Sequence, residues 1–193
     1  MIEVGRDNYM ALLNRYLAEL GSMELGRILK VDLWNEVKNL PVDCGILGNI
    51  TATGYDGIDI DPDIVAAAQE RLGANVSCNV MDIRRLHASW TDTFDAVLDL
   101  STIDHVPWSD VPTVLAEYRR VLRADGMLYM GVWLARELIE ETIDNCSLTQ
   151  YCFPAPEFAG ALDAAGFHIT DLVVTWKSPD ETHWFVRLTA DGK

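Results

Sequence analysis

Between residues 55 and 132 the apolar positions switch period in a regular alternation. Tyr55-Asp56-Gly57-Ile58-Asp59-Ile60 is a short strand-like run. From Asp63 to Leu72, Ile64, Val65, Ala68 and Leu72 fall on one helical face. Pro62 opens that helix, and Asp61 stands where a cap is needed. Asn75 to Asp82 reads as a second strand. Phe94 to Leu100 reads as a third, more continuously apolar, as a central parallel strand should be. Ser109 to Leu122 is a helix that turns Val111, Val114, Leu115, Tyr118, Val121 and Leu122 inward. Ala124-Asp125-Gly126 then reads as a turn and Met127 to Val132 as the next strand. Strand and helix alternating at this spacing predict βαβ units. The expected fold class is α/β, a doubly wound, mostly parallel sheet.

The flanks are less regular. Tyr9, Leu12, Leu13, Tyr16, Leu17 and Leu20 sit at helical spacing over 8–20, with Asp7 or Asn8 as cap and Gly21 as stop. Residues 1–25 are thus expected to form a helical cap on one sheet edge or a lid. Ile28 to Leu33 reads as a strand; Pro41, Gly45, Gly48 and Gly54 interrupt any long element over 34–54. After a mixed stretch at 134–152, Pro156 opens a helix carrying Phe158, Leu162 and Ala165 and closed by Gly166. Ile169 to Trp176 and His183 to Leu188 are strands joined by the turn-like Ser178-Pro179-Asp180-Glu181, which predicts a final antiparallel strand. The whole chain, 1–193, reads as one domain.

Composition narrows the partners. Fifteen Lys plus Arg against 30 Asp plus Glu give a net charge of −15, and no basic cluster relieves it, so a nucleic-acid partner is not expected. No apolar run approaches the ~20 residues of a membrane span. The first residues show neither a basic start nor an apolar secretory stretch, so a cytoplasmic location is expected. Oligomeric state is not legible. Cys44, Cys78, Cys146 and Cys152 make no Cys-x-x-Cys pair, and His87, His168 and His183 lie on separate elements, so no metal site is expected. Cys78 is expected in the core, the others as reduced thiols.

Asp59 ends a strand at the edge where open α/β sheets bind ligands. A carboxylate there can accept both hydrogen bonds of a ribose diol, which points to an adenosine-containing cofactor. The plainer alternative is that Asp59 and Asp61 only cap the helix. No Gly-x-Gly-x-x-Gly brings backbone N–H groups to a pyrophosphate, and no Gly-x-x-x-x-Gly-Lys-Ser/Thr loop serves a triphosphate. Asp104 and His105 follow the strand at 94–100 directly. A histidine there can take a proton from an attacking nucleophile at neutral pH, with Asp104 orienting the ring or binding a substrate amine. Alternatively His105 is a loop residue that pairs with the backbone or contacts the cofactor, and proximity alone suffices for transfer. Trp108, Trp133, Tyr151 and Phe153, expected on loops above the sheet, either shape an apolar substrate pocket or simply pack.

Five segments in order carry a resemblance from about residue 26 onward: Gly57-Ile58-Asp59-Ile60-Asp61-Pro62; Val80-Met81-Asp82-Ile83-Arg84-Arg85-Leu86; Phe94 to Val106; Arg119 to Leu128; and Ala164-Ala165-Gly166-Phe167. Together they resemble the class I S-adenosylmethionine-dependent methyltransferases. The resemblance implies S-adenosylmethionine as cofactor, with Asp59 on its ribose and Ile60 on an adenine face. Asp82 and the Ile83 N–H would hold the adenine edge, or Asp82 caps a turn; Leu100 and Ser101 would line the methionine portion. The family's usual Gly-x-Gly after its first strand is missing, because Asp32 is followed by Leu33-Trp34-Asn35-Glu36. The glycines of Asp43-Cys44-Gly45-Ile46-Leu47-Gly48 lie too close to Asp59 to leave room for a turn, a helix and a strand. The first motif therefore aligns on Lys30, Asp32 and Asn35, which the resemblance places at the methionine end, Lys30 near its carboxylate and Asp32 near its ammonium. Helix capping by Asp32 or Asn35 and a snorkelling Lys30 are the alternative. The implied reaction is methyl transfer to an oxygen, nitrogen or carbon of a small molecule. The rivals are a non-catalytic cofactor-binding relative and an NAD(P)-dependent oxidoreductase.

Overall fold

The computed structural model describes residues 14–15, 18–22, 25–37, 46–47, 50–143, 148–176 and 180–190. Among the described residues nine strands form in chain order: β1 Leu25–Val31, β2 Ala52–Asp59, β3 Val76–Val80, β4 Phe94–Leu100, β5 Leu122–Ala135, β6 Ile139–Ile143, β7 Leu148–Pro154, β8 Phe167–Trp176 and β9 Glu181–Ala190. Among the described residues, 14–15 and 18–21 are helical, and four α-helices follow β1: α1 Trp34–Val37, α2 Pro62–Leu72, α3 Val111–Val121 and α4 Ala155–Ala164. Strands β3, β2, β1, β4 and β5 lie side by side and parallel; β9 joins β5 antiparallel and β8 pairs with β9. This is the doubly wound, mostly parallel sheet with an antiparallel strand that the hydrophobic pattern predicts.

Each face of the sheet has its own core. Leu29, Val31, Val97, Met130 and Val132 pack with Val114, Leu115 and Tyr118 of α3 and Phe158 and Leu162 of α4. On the other face Ile28, Ala96, Leu98, Tyr129 and Phe185 pack with Leu20, Ile46 and Ile50. Leu33 joins Ile64, Val65 and Ala68 of α2. Strand residues thus alternate between two apolar layers, which is why these strands read as nearly continuous hydrophobic runs.

The elements depart from the sequence pattern in identifiable ways. Ala124-Asp125-Gly126 is not a turn between elements. Leu122 pairs with Phe94 and Met127 with Ala96, so residues 123–126 bulge within β5. The stretch at 134–152 contains a β-hairpin: β6 and β7 pair antiparallel, and β7 touches β5 through Leu134–Phe153 and Ala135–Pro154. Trp133, Tyr151 and Phe153 therefore lie on strands, not loops. Of the helix expected over 8–20, residues 8–13, 16 and 17 lie outside the described residues. Its end packs on the sheet: Leu20 is buried, and Arg15 and Glu19 pair with Asp171 and Arg187 of β8 and β9. Cys44, Cys146, Gly45, Gly48 and the turn residues Ser178-Pro179 also lie outside the described residues. Cys152 is buried, and burial pushes the half-buried Cys78 thiol up to about 11. Among the described residues no helix is long and apolar enough to cross a membrane.

Candidate functional site

Strand order reverses between β1 and β4, since β1 leads to β2 on one side and β4 to β5 on the other. In an open α/β sheet that reversal leaves a crevice at the carboxyl ends of the strands. The residue following each of these two strands, Asp32 (φ 62°) and Ser101 (φ 67°), adopts the left-handed backbone that L side chains avoid. Such conformations collect where a site demands them.

The side chains at this edge come from four strand ends. Asp59 is the last residue of β2, half-buried. Its Oδ2 accepts from the Leu33 N–H and its Oδ1 from the Asp61 N–H, each at 2.9 Å. Partial burial raises its pKa, and the two N–H bonds oppose that rise. Asp32 Oδ1 accepts from the Trp34 N–H at 2.7 Å. The loop after β1 thus has its Leu33 and Trp34 donors bound to carboxylates. Leu33 is fully buried, and a Cβ on Gly57 would come within 2.6 Å of its Cδ2, so any larger residue there would push the Leu33 side chain aside. Asn35 is half-buried. Ile60, beside Asp59, is 68% exposed, and Val80, its neighbour at the end of β3, is 55% exposed. Two apolar side chains are thus left open to solvent where two strands end.

The comparisons with known proteins bear on the fold. Residues 47–126 match the family model described as a methyltransferase domain, a stretch that starts after β1 and its glycine-free loop. No curated protein matches the sequence. Among solved structures, the Burkholderia thailandensis 1,6-didemethyltoxoflavin-N1-methyltransferase, bound to 1,6-didemethyltoxoflavin and S-adenosylhomocysteine, superposes with a TM-score of 0.69 at 19% identity, over 98% of this chain and 83% of that one. The [4+2]-cyclase SpnF gives 0.72 at 17%, over 99% and 85%. The N-methyltransferase NodS from Bradyrhizobium japonicum, with S-adenosylhomocysteine, gives 0.67 at 13%, over 98% and 90%. The chain shares the fold of these solved structures, and residues 47–126 carry the match to the methyltransferase domain.

Within this methyltransferase fold the remaining candidates divide. Lys30 does not face the crevice: it is fully buried, and its Nζ donates to the Val31 and Asp32 carbonyls, each at 2.6 Å. Asp82 is gripped by Arg84, whose Nη2 lies 2.6 Å from Oδ2 and whose Nη1 also reaches Asp110; that pairing holds the Asp82 carboxyl below its ordinary range. Ile83 is buried in the core. Leu100 is buried at the end of β4. Ser101 Oγ lies 3.0 Å from His183 Nε2, and the Ser101 N–H donates to the Gly131 carbonyl. His183 lies on β9, where no sequence spacing ties it to Ser101. Register alone brings it there, opposite Trp133. It is 2% exposed, and burial lowers its pKa to about 4, so it is neutral at pH 7. Gly131 makes room for it, since a Cβ would stand 3.1 Å from His183 Cε1.

The second end of the site is the turn Ile103–His105 after β4, against which β7 packs. His105 Nδ1 lies 2.8 Å from the Thr149 carbonyl, an acceptor only, so Nδ1 carries a proton, and in the neutral ring the lone pair falls to Nε2. That Nε2 lies 3.9 Å from Asp104 Oδ1. Asp104 is fully buried, with Oδ2 accepting from the Trp133 N–H at 3.4 Å. Burial first, and the nearby Asp99 second, raise its pKa well above the ordinary carboxylate value. An acid raised in the folded state binds more protons than in the unfolded chain, so its contribution to stability falls as pH rises through that window. Asp104→Asn is expected to remove part of that slope. Melting curves between pH 5 and pH 8 should show the variant gaining on the parent at the upper end. Phe153 is fully buried between Trp108 and Phe158, so of the four aromatics it packs, while Trp108, Trp133 and Tyr151 are half-buried.

Proposed function

We propose that the chain binds S-adenosylmethionine at the carboxyl ends of β1 to β4 and transfers its methyl group to a small-molecule acceptor held between the Ile103–His105 turn and β7. The observation that carries the reading is the state of the first loop. A dinucleotide or nucleotide site offers free backbone N–H groups to phosphate. Here the Leu33 and Trp34 N–H groups are spent on Asp59 and Asp32, and the loop is ringed by carboxylates. Such a lining repels a pyrophosphate and suits a cation. This disfavours an NAD(P)-dependent oxidoreductase.

The residues fit the donor at its nucleoside end. Asp59 accepts the ribose hydroxyls on the lone pairs that its two N–H bonds leave, and the exposed Ile60 and Val80 cover an adenine face. Asp82 and the Ile83 N–H meet the adenine edge. Asp32 and Asn35 take the ammonium end, and Leu100 and Ser101 line the methionine chain. Lys30 does not take the role of carboxylate partner, because its ammonium is spent on backbone carbonyls. When bound, S-adenosylmethionine supplies an activated methyl group on a cationic sulfonium.

At the acceptor end, His105 Nε2 takes the proton that an oxygen or nitrogen nucleophile loses, while Thr149 holds the ring in the competent tautomer. Asp104, whose Oδ1 lies 3.9 Å from His105 Nε2, helps orient the ring. His105→Ala is expected to lower turnover about 10²–10⁴-fold, the scale of general-base catalysis. A loss below tenfold would leave proximity as the sole device. The fold also serves the [4+2]-cyclase SpnF, so a cofactor-binding protein without methyl transfer is the second reading. Calorimetry with S-adenosylmethionine, S-adenosylhomocysteine and NAD, followed by turnover assays across oxygen, nitrogen and carbon nucleophiles, separates these. Binding of NAD alone defeats the cofactor assignment, and tight donor binding without turnover selects the second reading.

A further inference from the structure

The turn after β1 has a backbone for which glycine is the usual residue, yet Asp32 occupies it at φ 62°. Two residues earlier, Lys30 is fully buried, and its Nζ donates to the carbonyls of Val31 and Asp32, the residues on either side of the bend's first peptide. A buried ammonium is costly unless it is paired and hydrogen-bonded. Here two buried carboxylates, Glu36 of α1 and Asp99 of β4, feel its charge, which opposes the rise that burial imposes on each. Glu36 Oε1 accepts in turn from the N–H groups of Ile46 and Leu47, at 3.1 and 3.4 Å. Lys30 is therefore the cationic centre of a cluster joining β1, the loop, α1 and residues 46–47.

We infer that Lys30 is a positioning residue for the first loop, its ammonium doing there what glycines do in a glycine-rich turn. It binds the two consecutive carbonyls of the bend, and so holds Asp32 in the left-handed conformation. In that conformation Asp32 and Asp59 bind the Trp34 and Leu33 N–H groups. The inference rests on the cofactor site proposed above and deepens it: the donor's cationic end is shaped by a lysine that never touches it. If Lys30 only neutralised Glu36 and Asp99, its removal would alter stability and leave ligand affinity unmoved.

Lys30→Met keeps the length of the side chain and cannot donate; Lys30→Gln keeps amide donors without charge. Calorimetry with S-adenosylhomocysteine and amide hydrogen exchange at Leu33 and Trp34 read both variants against the parent. Lys30→Met is expected to weaken binding about tenfold or more and to strip protection from both amides, with Lys30→Gln recovering part of each. Affinity within about twofold of the parent in a folded Lys30→Met protein overturns the inference. So does an equal loss in both variants. Should neither variant fold, exchange in the parent protein decides: Leu33 and Trp34 amides protected like those of β1 support the pinned loop, and freely exchanging ones overturn it. A parent protein that binds neither S-adenosylmethionine nor S-adenosylhomocysteine defeats the cofactor reading, while the exchange experiment still judges Lys30.

Discussion

Asp59→Ala is expected to weaken S-adenosylmethionine binding by about 1.5–3 kcal/mol, the scale for hydrogen bonds to a charged group. Two losses combine. The ribose hydroxyls lose their acceptor, and the Leu33 N–H loses the carboxylate that ties the first loop to the end of β2. Asp59→Asn separates them: its remaining oxygen still accepts one bond, while its amide cannot serve two donors. A smaller deficit is therefore expected for asparagine than for alanine. Titration calorimetry of the two variants against the parent measures both. An unchanged dissociation constant for the alanine variant would mean that the nucleoside is held elsewhere.

A comparable effect, on stability rather than binding, is expected from Phe153→Ala. Phe153 is fully buried, stacked on Phe158 of α4 at 5.6 Å and on Tyr151 at 6.3 Å, with the Trp108 ring 5.3 Å away. Truncating such a ring costs about 3–5 kcal/mol, through lost burial and the cavity left behind. That is a large share of the ~5–15 kcal/mol by which a domain is stable. The residue also sits where β7 meets β5, at the Leu134–Phe153 pairing. Its loss should loosen the hairpin from the Ile103–His105 turn and release His105 from the Thr149 carbonyl. Denaturant unfolding should show the destabilisation. Donor affinity, measured where the variant remains folded, should stay near that of the parent, because Asp59 and Ile60 lie on the opposite side of the sheet's centre. A matching loss of donor affinity would show that the two ends of the site are not independent.

How legible the site was in the sequence depended on whether its signal was local. The place of Asp59 and Ile60 at a strand end, and Asp61 as the α2 cap, were readable because strand, carboxylate and proline-opened helix follow one another within a few residues, and the local backbone dictates their relation. The position of Asp104 and His105 was readable for the same reason, since they follow a mostly apolar strand. Lys30 was placed correctly along the chain and wrongly in space. Strand alternation assigns a side chain to a face but does not say whether its ammonium reaches ligand or curls back onto carbonyls. His183 was read only as a strand residue outside any metal site, because its partner Ser101 is distant in sequence and meets it only through the pairing of β9 with β5. The β6–β7 hairpin was missed because only the end of β7, at Cys152 and Phe153, enters the core, while Glu140, Glu141 and Thr142 leave β6 with little apolar period.

What the sequence determined by itself was the order of strands and helices, the doubly wound sheet, and the line of acids at its carboxyl edge. Each of these follows from short-range periodicity and from the need to bury two apolar faces. Only the tertiary structure decided which carboxylates meet which N–H groups, that Lys30 is turned inward, and that His183 lies against Ser101. Those contacts join residues from different strands, and their geometry exists only once the sheet has set the register between them.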